Sequence, residues 1–181
     1  MVSITNREGK NHCSGTLISE KYILTAAHCF DYVDVDSLTV VLGSDNLERE
    51  GYYAIQRFID NYQVHPKYEK CCHYYDVAIA QFEEEVPFDV NNPGITPICL
   101  PTKASSNVDN LARVSVTLTG FGRTRQNRDN QQLGFTTLQI HSQEYCDYQY
   151  RNYRSLPRNF ESNILCAGYI VSAVSQFVVI F

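Results

Sequence analysis

The stretch Leu24-Thr25-Ala26-Ala27-His28-Cys29 places a histidine beside a cysteine, directly after a short apolar segment typical of a β-strand. A second cysteine lies upstream, in Cys13-Ser14-Gly15-Thr16-Leu17-Ile18-Ser19. Further on, Tyr75-Asp76-Val77-Ala78-Ile79-Ala80 places one acid immediately before an apolar strand. Imidazole exchanges protons near neutral pH and a carboxylate can orient it, so His28 and Asp76 are candidates for a general base and its partner.

Each of these two residues also has an ordinary structural interpretation. A single histidine is more often a structural or surface residue than a base, and an aspartate before a strand commonly accepts hydrogen bonds from nearby backbone donors. Together, and in the order His then Asp, their segments resemble the catalytic-histidine and triad-aspartate regions of trypsin-like serine endopeptidases, which have the chymotrypsin fold. The resemblance implies that His28 is the general base and that Asp76 orients it.

Further matches extend the resemblance from about residue 2 to about residue 168. Val40-Val41-Leu42-Gly43 resembles the strand that leaves the histidine region, and Val64-His65-Pro66-Lys67-Tyr68 resembles the loop before the aspartate. Pro97-Ile98-Cys99-Leu100-Pro101 resembles the link between the two barrels of the family. Thr119-Gly120-Phe121-Gly122 resembles the opening of the second barrel, and Ile164-Leu165-Cys166-Ala167-Gly168 resembles the strand that precedes the nucleophile.

The match ends before the nucleophile. In the family a Gly-Asp-Ser-Gly-Gly-Pro segment follows, whose serine attacks the carbonyl and whose backbone amides form the oxyanion hole. Residues 169–181 contain no such segment, and neither Ser172 nor Ser175 has flanking glycines, so we interpret both as spacers in an apolar strand. We therefore predict that the chain as it stands is inactive.

Seven cysteines in 181 residues indicate an oxidising compartment, because disulfides persist there and are rare in the cytosol. The resemblance implies two disulfides, Cys13 with Cys29 and Cys146 with Cys166, and an extracellular, secreted protein. It also implies that Cys99 tethers an amino-terminal pro-domain, with a buried free thiol as the alternative. The first residues show no signal-peptide pattern, so we expect the sequence to begin and end inside a longer protein.

Two segments raise the question of a metal ion. Cys71, Cys72 and His73 are adjacent, and three adjacent residues of an extended loop point in different directions, so we favour a loop disulfide there over a zinc site. The acidic loop at residues 45–50 is interpreted as a solvated turn rather than a calcium site. We expect no metal site and no cofactor.

The predicted fold class is all-β, a chymotrypsin-like double β-barrel with the first barrel nearly complete and about half of the second present. The expected division is a first barrel at 1–105, a linker at 106–112, a partial second barrel at 113–168 and an apolar tail at 169–181. This tail is either non-native sequence or a strand that covers an open sheet edge.

Ser142 is predicted to cap a short helix with Glu144 in its first turn. The predicted strands are Val2–Thr5, Thr16–Ser19, Tyr22–Thr25, Leu38–Leu42, Tyr52–Ile59, Val77–Phe82, Arg113–Thr119, Phe135–Ile140 and Leu165–Val171.

The sequence is compatible with three functions. The first is an extracellular serine endopeptidase acting on protein or peptide substrates. The second is a non-catalytic serine-protease homologue that acts as a binding module, and the third is a product that does not fold stably. A formal net charge of −5 and the lack of long basic runs argue against nucleic acid or an anionic membrane as partner.

Overall fold

The computed structural model describes residues 1–49, 51–71, 73–88, 93–101, 111–121, 131–150, 165–168 and 177–180. These residues form mainly β-strands, so the predicted all-β class is confirmed. The bounds are β1 (Val2–Thr5), β2 (Asn11–Leu17), β3 (Tyr22–Thr25), β4 (Thr39–Leu42), β5 (Ile55–Val64), β6 (Ala78–Phe82), β7 (Ser115–Gly120), β8 (Gly134–Ile140), α1 (Gln143–Tyr150), β9 (Leu165–Gly168) and β10 (Phe177–Ile180).

The first part of the chain is a closed barrel with the strand order β1-β2-β3-β6-β5-β4. Closure comes from the pairing of β1 with β4, in which Val2 lies opposite Leu42. Burial alternates along β6, where Ala78, Ala80 and Phe82 face the core, as the period of two of a strand requires. The barrel interior is filled by apolar side chains, among them Ile4, Leu17, Ile23, Leu38, Val40, Ile59 and Val86.

Two strands of the barrel differ from the prediction by more than one residue at an end. Strand β2 begins at Asn11 and not at Thr16, because residues 11–15 pair with β1 although they are small or polar. Strand β5 runs from Ile55 to Val64 and not from Tyr52 to Ile59. A register shift between Ile59 and Asn61 interrupts its alternation, and the polar residues beyond the shift still pair with β6.

The second part of the described chain is a four-stranded sheet in the order β10-β9-β8-β7. Together with the closed barrel it makes a chymotrypsin-like double barrel that is partly present. Helix α1 begins after Ser142, whose Oγ accepts a hydrogen bond from the backbone N–H of Tyr145 at 3.3 Å, as the predicted cap requires. Residues 177–180 of the apolar tail form β10, in which Phe177 pairs with Gly168 of β9.

Hydrogen bonds join the sheet to the barrel. Residues 45–47 pair with residues 131–133 through backbone N–H···O bonds of 2.9 and 2.7 Å. The side-chain amide of Asn11 adds a link by donating to the carbonyl of Phe121 at 2.8 Å. Most of the predicted linker at 106–112, with Gly122, Ser172 and Ser175, lies outside the described residues, so the domain boundaries stay predictions.

A glycine after β4 offers a test of this packing. Gly43 has φ +71°, and a Cβ there would lie 2.6 Å from the carbonyl oxygen of Tyr53 and 2.9 Å from Cδ1 of Ile95. We expect Gly43→Ala to lower the free energy of unfolding by about 2 to 4 kcal/mol, since backbone strain and steric overlap add. The measurement is the urea unfolding curve.

Gly9→Ala is the matched control, because Gly9 has φ +72° but no atom within 4 Å of a Cβ. It carries the backbone strain alone and should cost about 1 kcal/mol. An equal decrease in the free energy of unfolding of the two variants would show that the close approach at Gly43 does not affect stability.

Candidate active site

The strand pairing of the barrel brings His28 and Asp76 to one edge of the sheet. Strands β3 and β6 are antiparallel neighbours, and Thr25 at the end of β3 lies opposite Ala78 at the start of β6. His28 follows β3 on the short 3₁₀ turn Ala27–Phe30, and Asp76 comes shortly before β6. Because an antiparallel pair places the end of one strand beside the start of the next, the two side chains meet.

The contact between the two residues is a short hydrogen bond. Nδ1 of His28 lies 2.6 Å from Oδ2 of Asp76, and the backbone N–H of His28 donates to Oδ1 at 2.8 Å. The Asp76 side chain is 1% exposed, whereas the His28 side chain is 47% exposed. The carboxylate is therefore buried with both oxygens occupied, and the imidazole reaches solvent.

These contacts decide which nitrogen of His28 carries the proton. An ionised carboxylate only accepts hydrogen bonds, so Nδ1 of the neutral ring must be the donor and Nε2 must hold the lone pair. Burial of a charge is costly unless hydrogen bonds compensate it, and here two donors from one residue do so. The ring is thus held in one orientation with a proton acceptor at Nε2.

Comparison with known proteins agrees with this geometry. The sequence model of the family described as Trypsin matches residues 1–176. The chain belongs to the trypsin family. The curated protein named venom serine protease Bi-VSP, from Bombus ignitus, is 31% identical over 161 residues, which cover 87% of this chain and 42% of that protein.

Two other trypsin-family relatives come from horseshoe crabs. Clotting factor C of Tachypleus tridentatus and Limulus clotting factor C of Carcinoscorpius rotundicauda are each 26% identical over 166 residues, which cover 87% of this chain and 16% of each relative. The chain therefore spans less than half the length of these relatives.

A disulfide holds the turn that carries His28 in this trypsin-family chain. Cys13 of β2 is bonded to Cys29, as the resemblance implies, and the two sulfurs lie 4.0 and 3.9 Å from Nε2 of His28. Nε2 of His12 lies 2.9 Å from the carbonyl oxygen of Cys29, and the hydroxyl of Thr25 donates to Ser14 at 2.9 Å. The histidine turn is thus fixed to β2 by covalent and polar contacts.

The other described cysteines comprise a second disulfide and two free thiols. Cys146 and Cys166 form the second implied disulfide. The loop disulfide expected in the cysteine pair before His73 is not formed at Cys71, which is an exposed free thiol, and Cys72 lies outside the described residues. Cys99 is also an exposed free thiol, so the alternative of a buried one is wrong.

Sequence reasoning missed a second histidine at the site. Nδ1 of His73 lies 3.8 Å from Oδ2 of Asp76, and the His73 and His28 rings meet edge to face with centroids 5.4 Å apart. The sequence groups His73 only with the adjacent cysteines. Its position three residues before the candidate aspartate was the available signal, but spacing alone does not show that the loop turns inward.

A polar network joins the two loops that carry the site residues. The Tyr68 hydroxyl donates to Oδ2 of Asp31 at 2.8 Å, and Nζ of Lys70 lies 3.1 Å from Oδ1. Burial and the Asp31 carboxylate raise the pKa of Tyr68, so this hydroxyl stays a donor. Asp31 ends the histidine turn, and Tyr68 and Lys70 lie in the loop before Asp76. The network therefore fixes one loop against the other.

Two groups of three donor residues occur in the described part of the chain. The first consists of Cys13, His28 and Cys29, but its sulfurs are bonded to each other and are not available to a metal ion. The second consists of His28, His73 and Asp76, whose ligand atoms take part in no covalent bond to each other and lie within 4.8 Å of one another. Among the described residues, no helix is long and apolar enough to cross a membrane.

The variant Asp76→Asn tests the hydrogen-bond pattern directly. Both the backbone N–H and Nδ1–H of His28 point at the carboxylate, but an asparagine has only one acceptor oxygen. The backbone donor cannot change, so we expect the imidazole to shift its proton from Nδ1 to Nε2, with a stability loss of about 1 to 3 kcal/mol. Nitrogen-15 NMR of the histidine rings reads the tautomer.

The ring signals of His65 serve as the internal control, because His65 stacks on Tyr75 and makes no hydrogen bond to Asp76. Persistence of the Nδ1 proton on His28 in the variant would contradict the bonding pattern described above.

The Cys13–Cys29 disulfide closes a loop with a sequence separation of 16. We expect Cys13→Ala/Cys29→Ala to lower the free energy of unfolding by about 3 kcal/mol, because the unfolded chain regains the entropy of the open loop. Cys71→Ala removes an exposed free thiol and should change stability by less than about 0.5 kcal/mol. Chemical denaturation compares the three proteins, and equal stability of the double variant and the parent would contradict the expectation.

Proposed function

We propose that this protein acts as a serine-type endopeptidase in which His28 is the general base and Asp76 its orienting partner. The observation that carries the proposal is the 2.6 Å contact between a buried carboxylate and Nδ1 of a half-exposed imidazole. An Nε2 lone pair on a ring whose Nδ1 is held by a carboxylate is what removal of a proton from a hydroxyl requires. Membership of the trypsin family supports the same assignment.

In the proposed reaction a serine hydroxyl gives its proton to Nε2 of His28 while its oxygen bonds to the carbonyl carbon of the scissile peptide. Asp76 stabilises the imidazolium that forms. The imidazolium then gives the proton to the leaving amine nitrogen as the C–N bond breaks, and the acyl-enzyme remains. Water activated by His28 hydrolyses the acyl-enzyme in the second half of the reaction.

These 181 residues contain no Gly-Asp-Ser-Gly-Gly-Pro segment, so the serine of this scheme is not identified in them. We therefore propose that the 181-residue chain by itself does not hydrolyse peptide bonds, although it supplies the base and its partner. The alternative proposal is a non-catalytic homologue that binds a partner through its first barrel. The 2.6 Å contact between His28 and Asp76 favours the enzyme.

We also propose that the protein is extracellular and carries a tethered pro-domain. The Cys13–Cys29 and Cys146–Cys166 disulfides suit an oxidising compartment, and the relatives named for venom and clotting are consistent with it.

The proposed pro-domain would be tethered through Cys99. Cys99 is an exposed thiol in a segment whose flanking Ile98 and Leu100 side chains are 59% and 56% exposed. Such an exposed apolar strip beside a thiol suits a covalently attached segment of the same protein.

The test compares two proteins. The 181-residue chain should show no turnover of a generic peptide ester. Turnover that His28→Ala abolishes would refute that expectation. The transcript read downstream of the Gly168 codon should encode a Gly-Asp-Ser-Gly-Gly segment, and its product should hydrolyse the ester. In that product His28→Ala should lower kcat/KM by roughly 10³-fold or more, because the serine loses its base.

His65→Phe is the matched control for the longer product, because it keeps an aromatic ring on Tyr75 and removes a histidine that does not contact Asp76. It should keep the parent kcat/KM. A glycine at the serine position of the downstream sequence would instead support the binding module and overturn the endopeptidase.

A further inference from the structure

Two imidazole rings face one buried carboxylate at the edge of the barrel. Oδ2 of Asp76 lies 2.6 Å from Nδ1 of His28 and 3.8 Å from Nδ1 of His73. One donor atom from each residue lies within 4.8 Å of the other two. Because the side chains of His28 and His73 are 47% and 52% exposed, the cluster opens to solvent on the side opposite Asp76.

We propose that His28, His73 and Asp76 form a binding site for a divalent transition-metal ion, with Zn²⁺ as the expected occupant, and that the bound ion blocks His28 as a base. The binding step does not depend on the proposed endopeptidase activity. The pair of His28 and Asp76 supplies only two ligands. The imidazole of His73 supplies the third.

The spacing of the donors is close to that of a zinc site. Zinc–nitrogen bonds of 2.0 to 2.1 Å in a tetrahedron put neighbouring ligand atoms about 3.3 Å apart. To reach that value, the 3.8 Å between His73 and Asp76 has to close by about 0.5 Å, and the 2.6 Å between Nδ1 of His28 and Asp76 has to open by about 0.7 Å. The half-exposed side chains of both histidines have room to rotate. A water molecule would complete the tetrahedron from the solvent side, as in zinc sites with three protein ligands.

The donor set selects the kind of ion. Two imidazole nitrogens and one carboxylate oxygen suit Zn²⁺, Cu²⁺ or Ni²⁺, whereas Ca²⁺ and Mg²⁺ require six or more oxygen ligands. Calcium is therefore the natural negative control. The backbone of His73 has φ +53°, so the loop already adopts the left-handed turn that directs this residue toward Asp76.

A metal ion on either nitrogen of His28 removes the base. An ion on Nε2 occupies the lone pair that accepts the proton of a hydroxyl. An ion on Nδ1 displaces the hydrogen bond to Asp76 and leaves the ring proton on Nε2, which then cannot accept another. Both modes abolish proton acceptance at Nε2, so the inhibitory consequence does not depend on which nitrogen binds.

The test is isothermal titration of Zn²⁺ into the folded, disulfide-intact 181-residue chain after every free thiol has been alkylated. Alkylation is needed because Cys71 and Cys99 are exposed thiols that bind zinc themselves. We expect one Zn²⁺ per chain, with binding at least about tenfold weaker in both His73→Asn and His28→Ala, since each removes a ligand. Asparagine at 73 tolerates the left-handed backbone and so preserves the loop.

His65→Phe again serves as the matched variant, because it removes an imidazole from the same loop outside the cluster, and it should bind Zn²⁺ like the parent. Ca²⁺ should not bind. Absence of Zn²⁺ binding by the parent, or equal affinity in the parent and in either His73→Asn or His28→Ala, would overturn the proposal. Endopeptidase activity takes no part in the readout, so failure of the proposed function leaves this test unaffected.

Discussion

The carboxylate of Asp76 is the charge around which the site is built. A carboxylate that is 1% exposed is tolerated only when its oxygens are hydrogen-bonded, and here both bonds come from one residue on a neighbouring strand end. The pairing of β3 with β6 creates that proximity, the Cys13–Cys29 disulfide fixes the histidine turn, and the Asp31 network fixes the loop before Asp76. Loss of any one of these supports would leave a buried charge without its partners.

Some of the fold could be predicted because local sequence decides it. The bounds of β1 and β3 agree with the prediction, since both are short, β-branched or aromatic segments with clear ends. β5 could not be placed correctly, because a register shift between Ile59 and Asn61 breaks the alternation on which the prediction rests. β2 was too short in the prediction because its first residues gain their order from pairing with β1, which no local pattern shows.

The candidate site divides in the same way. The proximity of His28 and Asp76 could be expected from two motifs, each of which has a distinctive context. His73 was missed because its approach to Asp76 depends on a loop whose residues His73 and Tyr75 both have positive φ, and neither is a glycine that would mark the turn in the sequence. Adjacency to another cysteine likewise does not show that a disulfide forms, and Cys71 is a free thiol.

The link between barrel and sheet has a consequence for how the sequence can vary. Residues 45–47 and 131–133 are joined through main-chain atoms, which every amino acid except proline provides in full. The link itself therefore requires no particular side chain at these loop tips, apart from the exclusion of proline at the donor positions 47 and 133. An insertion or deletion in either loop, in contrast, would move the donors away from their acceptors, so the link constrains the length of these loops more than the identity of their side chains.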